Sequence, residues 1–239
     1  MSERLVILPG LLCDSRMFVG QVEAFDALVM DGFYGRANRI EAMADFALDR
    51  LPARCALLGH SMGARVALEI WRRAPERVER LALADTGVHM VRPGEADKRY
   101  ALRDLGRREG CAVMVDQWLP PMIGKERRQD ADLYAALRAM SVDAGMATFE
   151  AQIDAMLHRP EVESLLPSIN CPAFAIVGSD DEWSPVAQHE DIVAAIPGAQ
   201  LRIVAGVGHM APAEDPVRFN DSVREWLNWM PARTFQQAR

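Results

Sequence analysis

The sequence has few cysteines, no excess of basic residues and no long hydrophobic run, and each of these absences excludes a class of protein. Its four cysteines lie far apart without a C-x-x-C pair, so we expect reduced thiols rather than a disulfide framework. A formal net charge of −7 offers no basic surface to nucleic acid or to an anionic membrane. No segment approaches the roughly 20 apolar residues that span a bilayer, and Pro9-Gly10 interrupts the apolar start, unlike a secretory signal. We therefore expect a cytoplasmic protein that binds neither nucleic acid nor membrane.

Short apolar segments alternate with helical patterns along much of the chain. Six of these segments are predicted to be strands: Leu5–Leu8, Ala27–Met30, Cys55–Leu58, Arg80–Ala84, Ala173–Val177 and Leu201–Val204. They show no polar alternation, which is typical of strands that are buried on both faces of a parallel sheet. Between the second and the third, apolar residues recur at helical spacing from Ile40 to Leu51. The pattern predicts a doubly wound α/β fold.

One stretch, from about residue 89 to residue 168, breaks this alternation because it is helical in character and rich in methionine. We predict a helical cap insertion at 89–168 and a single α/β core formed by 1–88 and 169–239. The apolar residues of the insertion either pack it onto the core or line an apolar pocket. Candidates for substrate contact are Trp118, Met122 and Met146, together with His89, for which an ordinary loop role is the alternative.

The pentapeptide GHSMG, Gly59 to Gly63, places a serine between two glycines, after an apolar run and before a helical pattern. In a G-x-S-x-G sequence the serine sits on a sharp strand-to-helix turn, where side chains two residues away on either side would collide. A helix that begins near Ser61 also directs its N-terminal amides at the reacting centre. Ser61 is the predicted nucleophile, and a glycine-rich helix start without chemistry is the alternative.

A serine nucleophile needs a base, and a further group must orient that base. Among the five histidines, His209 follows the last predicted strand in a loop, so it can project from the carboxyl edge of the sheet. Asp181 leaves the preceding strand in the same way and is the predicted acid, with Asp180 and Asp85 as alternatives. Glu214 and Asp215 are assigned instead to the N-terminal amides of the last helix.

The developing oxyanion is expected to bind two backbone amides. One donor is the amide of Met62, directly after the serine, and the other belongs to the loop after the first strand. Gly10 lets that loop approach closely, so the amide of Leu11 is the predicted second donor.

The order Ser, Asp, His, carried by GHSMG, GSDDEWSP and GVGHMAPAEDP, resembles the α/β-hydrolase superfamily over nearly the whole chain. The resemblance implies a catalytic triad of Ser61, Asp181 and His209. With its helical cap the chain is similar to small bacterial serine esterases and to the lyase of menaquinone synthesis. Because the first predicted strand is the family's oxyanion strand, we expect a sheet of about six strands. Pro9 stands where many members carry a histidine that supports the oxyanion loop.

These features predict a carboxylesterase-like serine hydrolase that cleaves a small-molecule ester or thioester through an acyl-enzyme on Ser61, without a metal or organic cofactor. One alternative is a C–C bond hydrolase or lyase that acts on a carboxylated substrate. Buried arginines in 89–168 would favour this alternative. Another is a non-catalytic ligand-binding protein that kept the fold. A homodimer is left open. Five arginines are candidates for binding an acidic substrate, although such helical faces are usually solvated: Arg103, Arg107, Arg108, Arg127 and Arg128.

Overall fold

A computed structural model describes residues 4–230 as a parallel sheet flanked by helices. The strands are β1 (Leu5–Leu8), β2 (Leu28–Val29), β3 (Cys55–His60), β4 (Val78–Ala84), β5 (Ala173–Gly178) and β6 (Gln200–Val204). The helices are α1 (Val19–Phe25), α2 (Ile40–Leu48), α3 (Met62–Arg73), α4 (Glu95–Glu109), α5 (Cys111–Trp118), α6 (Ala131–Leu157), α7 (Val186–Ala195), α8 (Ala211–Glu214) and α9 (Pro216–Asn228). The predicted α/β class and the six strands are confirmed.

The strands run parallel in the order β2-β1-β3-β4-β5-β6. The chain steps from β1 outward to β2 and then returns to the other side of β1 to form β3, so the winding direction reverses between β1 and β3. In open α/β sheets the crevice at such a reversal, at the carboxyl ends of the strands, is where ligands bind. The loop that begins at Pro9 and the turn at Ser61 both leave the sheet at this crevice.

Alternating side chains of the strands enter two hydrophobic clusters, one on each face of the sheet. One cluster includes Leu5, Ile7, Ala56, Leu58, Phe174 and Ile176, and the other includes Val6, Leu8, Cys55, Leu57, Ala173 and Ala175. The first packs against α9, and the second packs against α2 and α3. Burial on both faces explains why β1, β3, β4 and β5 appear as continuous apolar runs. The prediction of burial on both faces is wrong for β6, an edge strand in which Ile203 is 50% exposed.

The predicted strand bounds differ from the structure by up to two residues, and the second strand is the one that the structure shortens. Only Leu28 and Val29 pair with β1. The amide of Met30 still donates to the carbonyl of Ile7, but the chain turns away at Gly32, whose φ is +91°. A two-residue edge strand therefore stands where four residues were predicted.

Between β4 and β5 the chain forms α4, α5 and α6, which pack against one another. We call residues 89–168 the helical segment. Its buried side chains, among them Met114, Leu137, Met140 and Phe149, join the cluster that contains Leu12 and Phe18. Helix α6 is interrupted at Gly145, where φ is +78°. Within residues 4–230, no helix combines the length and the apolar character that crossing a membrane requires.

Candidate active site

Ser61 occupies a tight turn between β3 and α3. Its φ of +53° and ψ of −117° lie outside the regions that L-residues favour, and such strain collects at functional sites. The flanking glycines make the turn possible. A Cβ on Gly63 would lie 2.0 Å from the carbonyl oxygen of Leu8, and one on Gly59 would lie 2.5 Å from Cα of Ala64. The backbone thus holds the serine at the edge of the sheet with no room for larger neighbours.

Three side chains predicted from the sequence lie in one hydrogen-bonded series. Nε2 of His209 is 2.8 Å from Oγ of Ser61, and Nδ1 of His209 is 2.8 Å from Oδ2 of Asp181. The other carboxylate oxygen of Asp181 accepts hydrogen bonds from the amides of Trp183 and Ser184. Because the carboxylate fixes the proton on Nδ1, Nε2 is left to accept the serine proton.

The environment of Asp181 favours its ionised form. Burial alone would raise the pKa of this carboxyl group, but the adjacent His209 and the amide hydrogen bonds outweigh burial and lower the pKa below its usual value. Asp181 is therefore a carboxylate at neutral pH. It can stabilise a positive charge on the imidazole ring.

The two other acids considered from the sequence do not contact His209. Asp180 is hydrogen-bonded to Oγ of Ser179 near the surface. Asp85 is fully buried, and its Oδ1 accepts from the amide of Gly178. Burial, followed by the charge of Asp181, raises the pKa of Asp85 well above its usual value.

The loop that carries His209 is held by a carboxylate whose role the sequence analysis assigned wrongly. Glu214 was assigned to the first turn of the last helix, but the structure buries it beneath the loop. It accepts hydrogen bonds from the amides of Gly208 at 3.0 Å, Met210 at 3.1 Å and Gly124 at 2.9 Å. The same assignment is confirmed for the next residue, Asp215, which caps α9. Since Gly124 belongs to the helical segment, Glu214 joins that segment to the histidine loop.

His60, the residue before the serine, supports the same loop. Its Nε2 is 2.8 Å from the carbonyl oxygen of His209. Burial, and then the proximity of His209, lower the pKa of His60 to about 3. His60 is therefore neutral and can donate this hydrogen bond through Nε2.

The loop after β1 lies against the nucleophile. A Cβ on Gly10 would lie 3.0 Å from Cβ of Ser61, so Gly10 permits this close approach. Met62 is the first residue of α3, and its amide has no acceptor within the helix. The predicted donors Leu11 and Met62 both line the cavity at Ser61.

Two side chains from distant parts of the chain hold this loop. The hydroxyl of Tyr34 donates to the carbonyl of Pro9 at 2.9 Å. The amide of Leu12 donates to Oε1 of Gln152 in α6 at 2.8 Å. No local motif marks either residue, so the sequence analysis missed both.

A cavity of about 330 Å³ opens at Ser61 and His209. Three of the predicted substrate-contact residues line it, namely Trp118, Met122 and His89. The prediction for Met146 is wrong. Its side chain lies against Gly106, where an added Cβ would meet Sδ at 2.4 Å, because this part of α6 faces α4 rather than the cavity.

The cavity is also lined by basic side chains that the sequence analysis did not select: Arg65, Arg92, Lys98, Arg99 and Arg159. The five arginines it did consider lie elsewhere. Each is within 4.0 Å of an acidic side chain outside the cavity wall, as in the pair of Arg107 with Glu150 at 2.7 Å. Within residues 4–230, no cluster of three or more His, Cys, Asp or Glu side chains is arranged to hold a metal ion.

Comparison with known proteins gives one family over most of the chain. The profile described as "Alpha/beta hydrolase family" matches residues 5–222. A putative 2-succinyl-6-hydroxy-2,4-cyclohexadiene-1-carboxylate synthase of Bacillus subtilis (strain 168) is 26% identical over 92% of this chain and 84% of its own. The esterase YbfF of Escherichia coli (strain K12) is 26% identical over 78% of this chain and 74% of its own. The solved structure of a malate-bound thermophilic esterase from Thermogutta terrifontis has a TM-score of 0.83 and 27% identity, covering 94% of this chain and 89% of that one.

Proposed function

The chain belongs to the alpha/beta hydrolase family, and from that premise we propose that it is a serine hydrolase of small-molecule carboxylic esters or thioesters. The observation that carries this proposal is the series from Ser61 Oγ through His209 to Asp181, with both contacts at 2.8 Å at the edge of one cavity. A serine between a base and a cavity is a chemically competent nucleophile.

The reaction begins when Oγ of Ser61 attacks the carbonyl carbon of the substrate. His209 takes the serine proton at Nε2, and Asp181 stabilises the resulting imidazolium. The negative charge moves to the carbonyl oxygen, which the amides of Leu11 and Met62 bind. Loss of one such donor typically lowers turnover by about 100- to 1,000-fold.

Collapse of this tetrahedral intermediate expels the alcohol or thiol, which receives its proton from His209, and leaves the acyl group on Ser61. A water molecule then gives a proton to His209 and attacks the acyl-enzyme. A second collapse releases the carboxylic acid and returns the proton to the serine. Every proton in this cycle passes through Nε2 of His209, and each step uses only side chains, backbone amides and water.

The helical segment serves as a cap in this proposal. It contributes Trp118, Met122 and Met156 to the cavity wall, which gives the substrate an apolar surface. The volume of about 330 Å³ is at the low end of the range of about 300–1,000 Å³ for small-molecule sites. Substrates with short acyl and alcohol groups fit this space best.

The test is release of p-nitrophenol from esters of increasing acyl length, measured with the wild type and with Ser61→Ala. We expect turnover with a maximum at a short acyl chain and a loss of several orders of magnitude in the variant. Ser164→Ala, a change at an exposed serine, is the matched control and should leave turnover unchanged.

Stoichiometric labelling by a p-nitrophenyl phosphonate ester separates the alternatives. Labelling of Ser61 without turnover of any ester or thioester would favour C–C bond cleavage by the same residues. Absence of both labelling and turnover would overturn the proposal in favour of a ligand-binding role.

A further inference from the structure

Arg65 is a buried cation that pairs with no carboxylate within residues 4–230. It lies in α3, one helical turn after Ser61, and is only 2% exposed although it lines the cavity. Its Nη2 donates to the carbonyl oxygen of His89, whereas Nε and Nη1 have no hydrogen-bond partner within residues 4–230. Buried charges in proteins are normally paired, because removing them from water without a partner is costly. An acceptor that enters the cavity could therefore bind the free N–H groups at Nε and Nη1 of Arg65.

No acidic side chain of the cavity wall supplies that acceptor. Glu95 is the one carboxylate among the described lining residues. Its oxygens are occupied by Arg159, at 2.7 and 2.8 Å, and by Arg99 at 3.0 Å. Burial, followed by repulsion from Arg159, lowers the pKa of Arg65 to about 9, as expected for a cation whose neighbours are also positive.

The charge of the cavity is opposite to that of the whole chain. Five basic side chains and one carboxylate line it, whereas the chain carries a formal net charge of −7. Lys98 and Arg92 are exposed at the cavity mouth, so water screens them, whereas Arg99 and Arg159 share the single negative charge of Glu95. Arg65 differs from Arg99 and Arg159 because it shares no carboxylate within residues 4–230, so its free N–H donors are the ones left for an anion that enters the cavity.

We propose that Arg65 binds a carboxylate of the substrate, so that the preferred esters or thioesters carry a second, ionised carboxyl group. This inference rests on the proposed function, since it takes Ser61 as the nucleophile. The helix rises about 6 Å between residues 61 and 65, so the carboxylate and the scissile carbonyl are separated by a short chain. The substrate class is the monoester of a short dicarboxylic acid.

The test compares two esters that differ in one charge. Methyl hydrogen glutarate carries the carboxylate, and methyl glutaramate replaces it with a neutral carboxamide of nearly the same size. We expect the wild type to hydrolyse the anionic ester with a kcat/KM about 10- to 100-fold higher, the range of a hydrogen bond to a charged group. Hydrolysis is followed by proton release at constant pH.

The variant Arg65→Gln should lose this preference, so that the ratio of kcat/KM for the anionic ester to kcat/KM for the neutral ester falls to about 1. Arg65→Lys keeps the charge and should retain part of the preference. The matched control is Arg72→Gln, a change on the same helix at a side chain that is paired with Glu69 outside the cavity, and it should behave as the wild type.

Failure of this inference is distinguishable from failure of the proposed function. Equal hydrolysis of both esters by the wild type, which requires no variant to fold, would overturn the carboxylate site and leave ester hydrolysis standing. If neither ester is hydrolysed, calorimetric binding of glutarate to Ser61→Ala decides the matter. Binding that Arg65→Gln abolishes would support the site, and no binding, or tighter binding of inorganic phosphate, would overturn it.

Discussion

The side-chain oxygen of Gln152 accepts a hydrogen bond from the backbone amide of Leu12 at 2.8 Å, although 140 residues separate them in sequence. Leu12 has a φ of +59°, which is unusual for a residue with a branched side chain. It directly follows Leu11, the proposed oxyanion donor. The contact therefore links the geometry of that donor to α6 of the helical segment.

Replacing Gln152 with Leu should lower kcat by about 10- to 100-fold with little change in KM, because a displaced donor stabilises the transition state less than a fixed one. Steady-state kinetics on a neutral p-nitrophenyl ester give kcat and KM separately and so test this prediction. Thr148→Val is the matched control, since Thr148 is buried one turn earlier on α6 and its hydroxyl has no partner within residues 4–230. An unchanged kcat in Gln152→Leu would contradict a positioning role.

Asp181 and Asp180 are adjacent carboxylates, but Asp181 contacts His209 whereas Asp180 contacts Ser179. Replacing each in turn tests which one serves as the acid. Asp181→Asn should lower kcat by about 10,000-fold, because an amide no longer fixes the imidazole tautomer or stabilises its cation. Asp180→Asn should stay within about twofold of the wild type, as is usual for a surface polar change. The kinetics of both variants on one ester check the prediction. Comparable losses in the two would show that the acid has been assigned to the wrong residue.

Glu214 should contribute to both stability and activity, because its two oxygens face three backbone amides. Glu214→Gln places an NH₂ group opposite amide donors, and we expect a loss of about 1–3 kcal/mol in the free energy of unfolding. We also expect a lower kcat, since the loop carries His209. Urea denaturation and kinetics measure the two effects.

The control for this change is Asp215→Asn. Asp215 caps α9 by accepting from the amide of Arg218, and asparagine is an equally good cap, so stability should be retained. If Glu214→Gln is as stable and active as Asp215→Asn, the carboxylate does not hold the loop.

The sheet and the hydrogen-bonded side chains of the site were predictable because their signals are local. Strands buried on both faces appear as short apolar runs, and Ser61 and Asp181 each follow such a run at the carboxyl edge. His209 follows β6, an edge strand that is only partly buried. Only β2 was predicted longer than it is, since an apolar pattern does not indicate where an edge strand stops pairing.

The supporting residues were not predictable, because they act across long separations in sequence. Gln152 meets a loop 140 residues away, and Glu214 meets Gly124 across 90 residues. Arg65 did have a local signal, one helical turn after Ser61, but an arginine in a helix is usually solvated. Its burial depends on how the helical segment covers the end of α3. Met146 was misplaced for the same reason, because the sequence does not define which side of α6 faces the cavity.

The buried His189 should make stability depend on pH. Its Nε2 accepts from the amide of Thr86 at 3.0 Å, so protonation would remove this acceptor, and burial lowers the pKa of His189 to about 4. An unfolded histidine has a pKa of about 6.5, so between these values the unfolded chain binds a proton that the folded chain does not. As the pH falls from about 6.5 to about 4, the free energy of unfolding therefore decreases by about 3 kcal/mol.

His189→Gln cannot bind that proton, and its side-chain oxygen can still accept from Thr86. Relative to the wild type, the variant should gain about 3 kcal/mol in the free energy of unfolding between pH 7 and pH 4. Other groups titrate in both proteins, so their contributions cancel in the difference. Urea denaturation at pH 7, 6, 5 and 4 measures this difference in the free energy of unfolding. His158→Gln, a change at an exposed histidine, is the control. Parallel stability curves for the wild type and His189→Gln would mean that the folded protein accepts the proton at His189 as readily as the unfolded chain does.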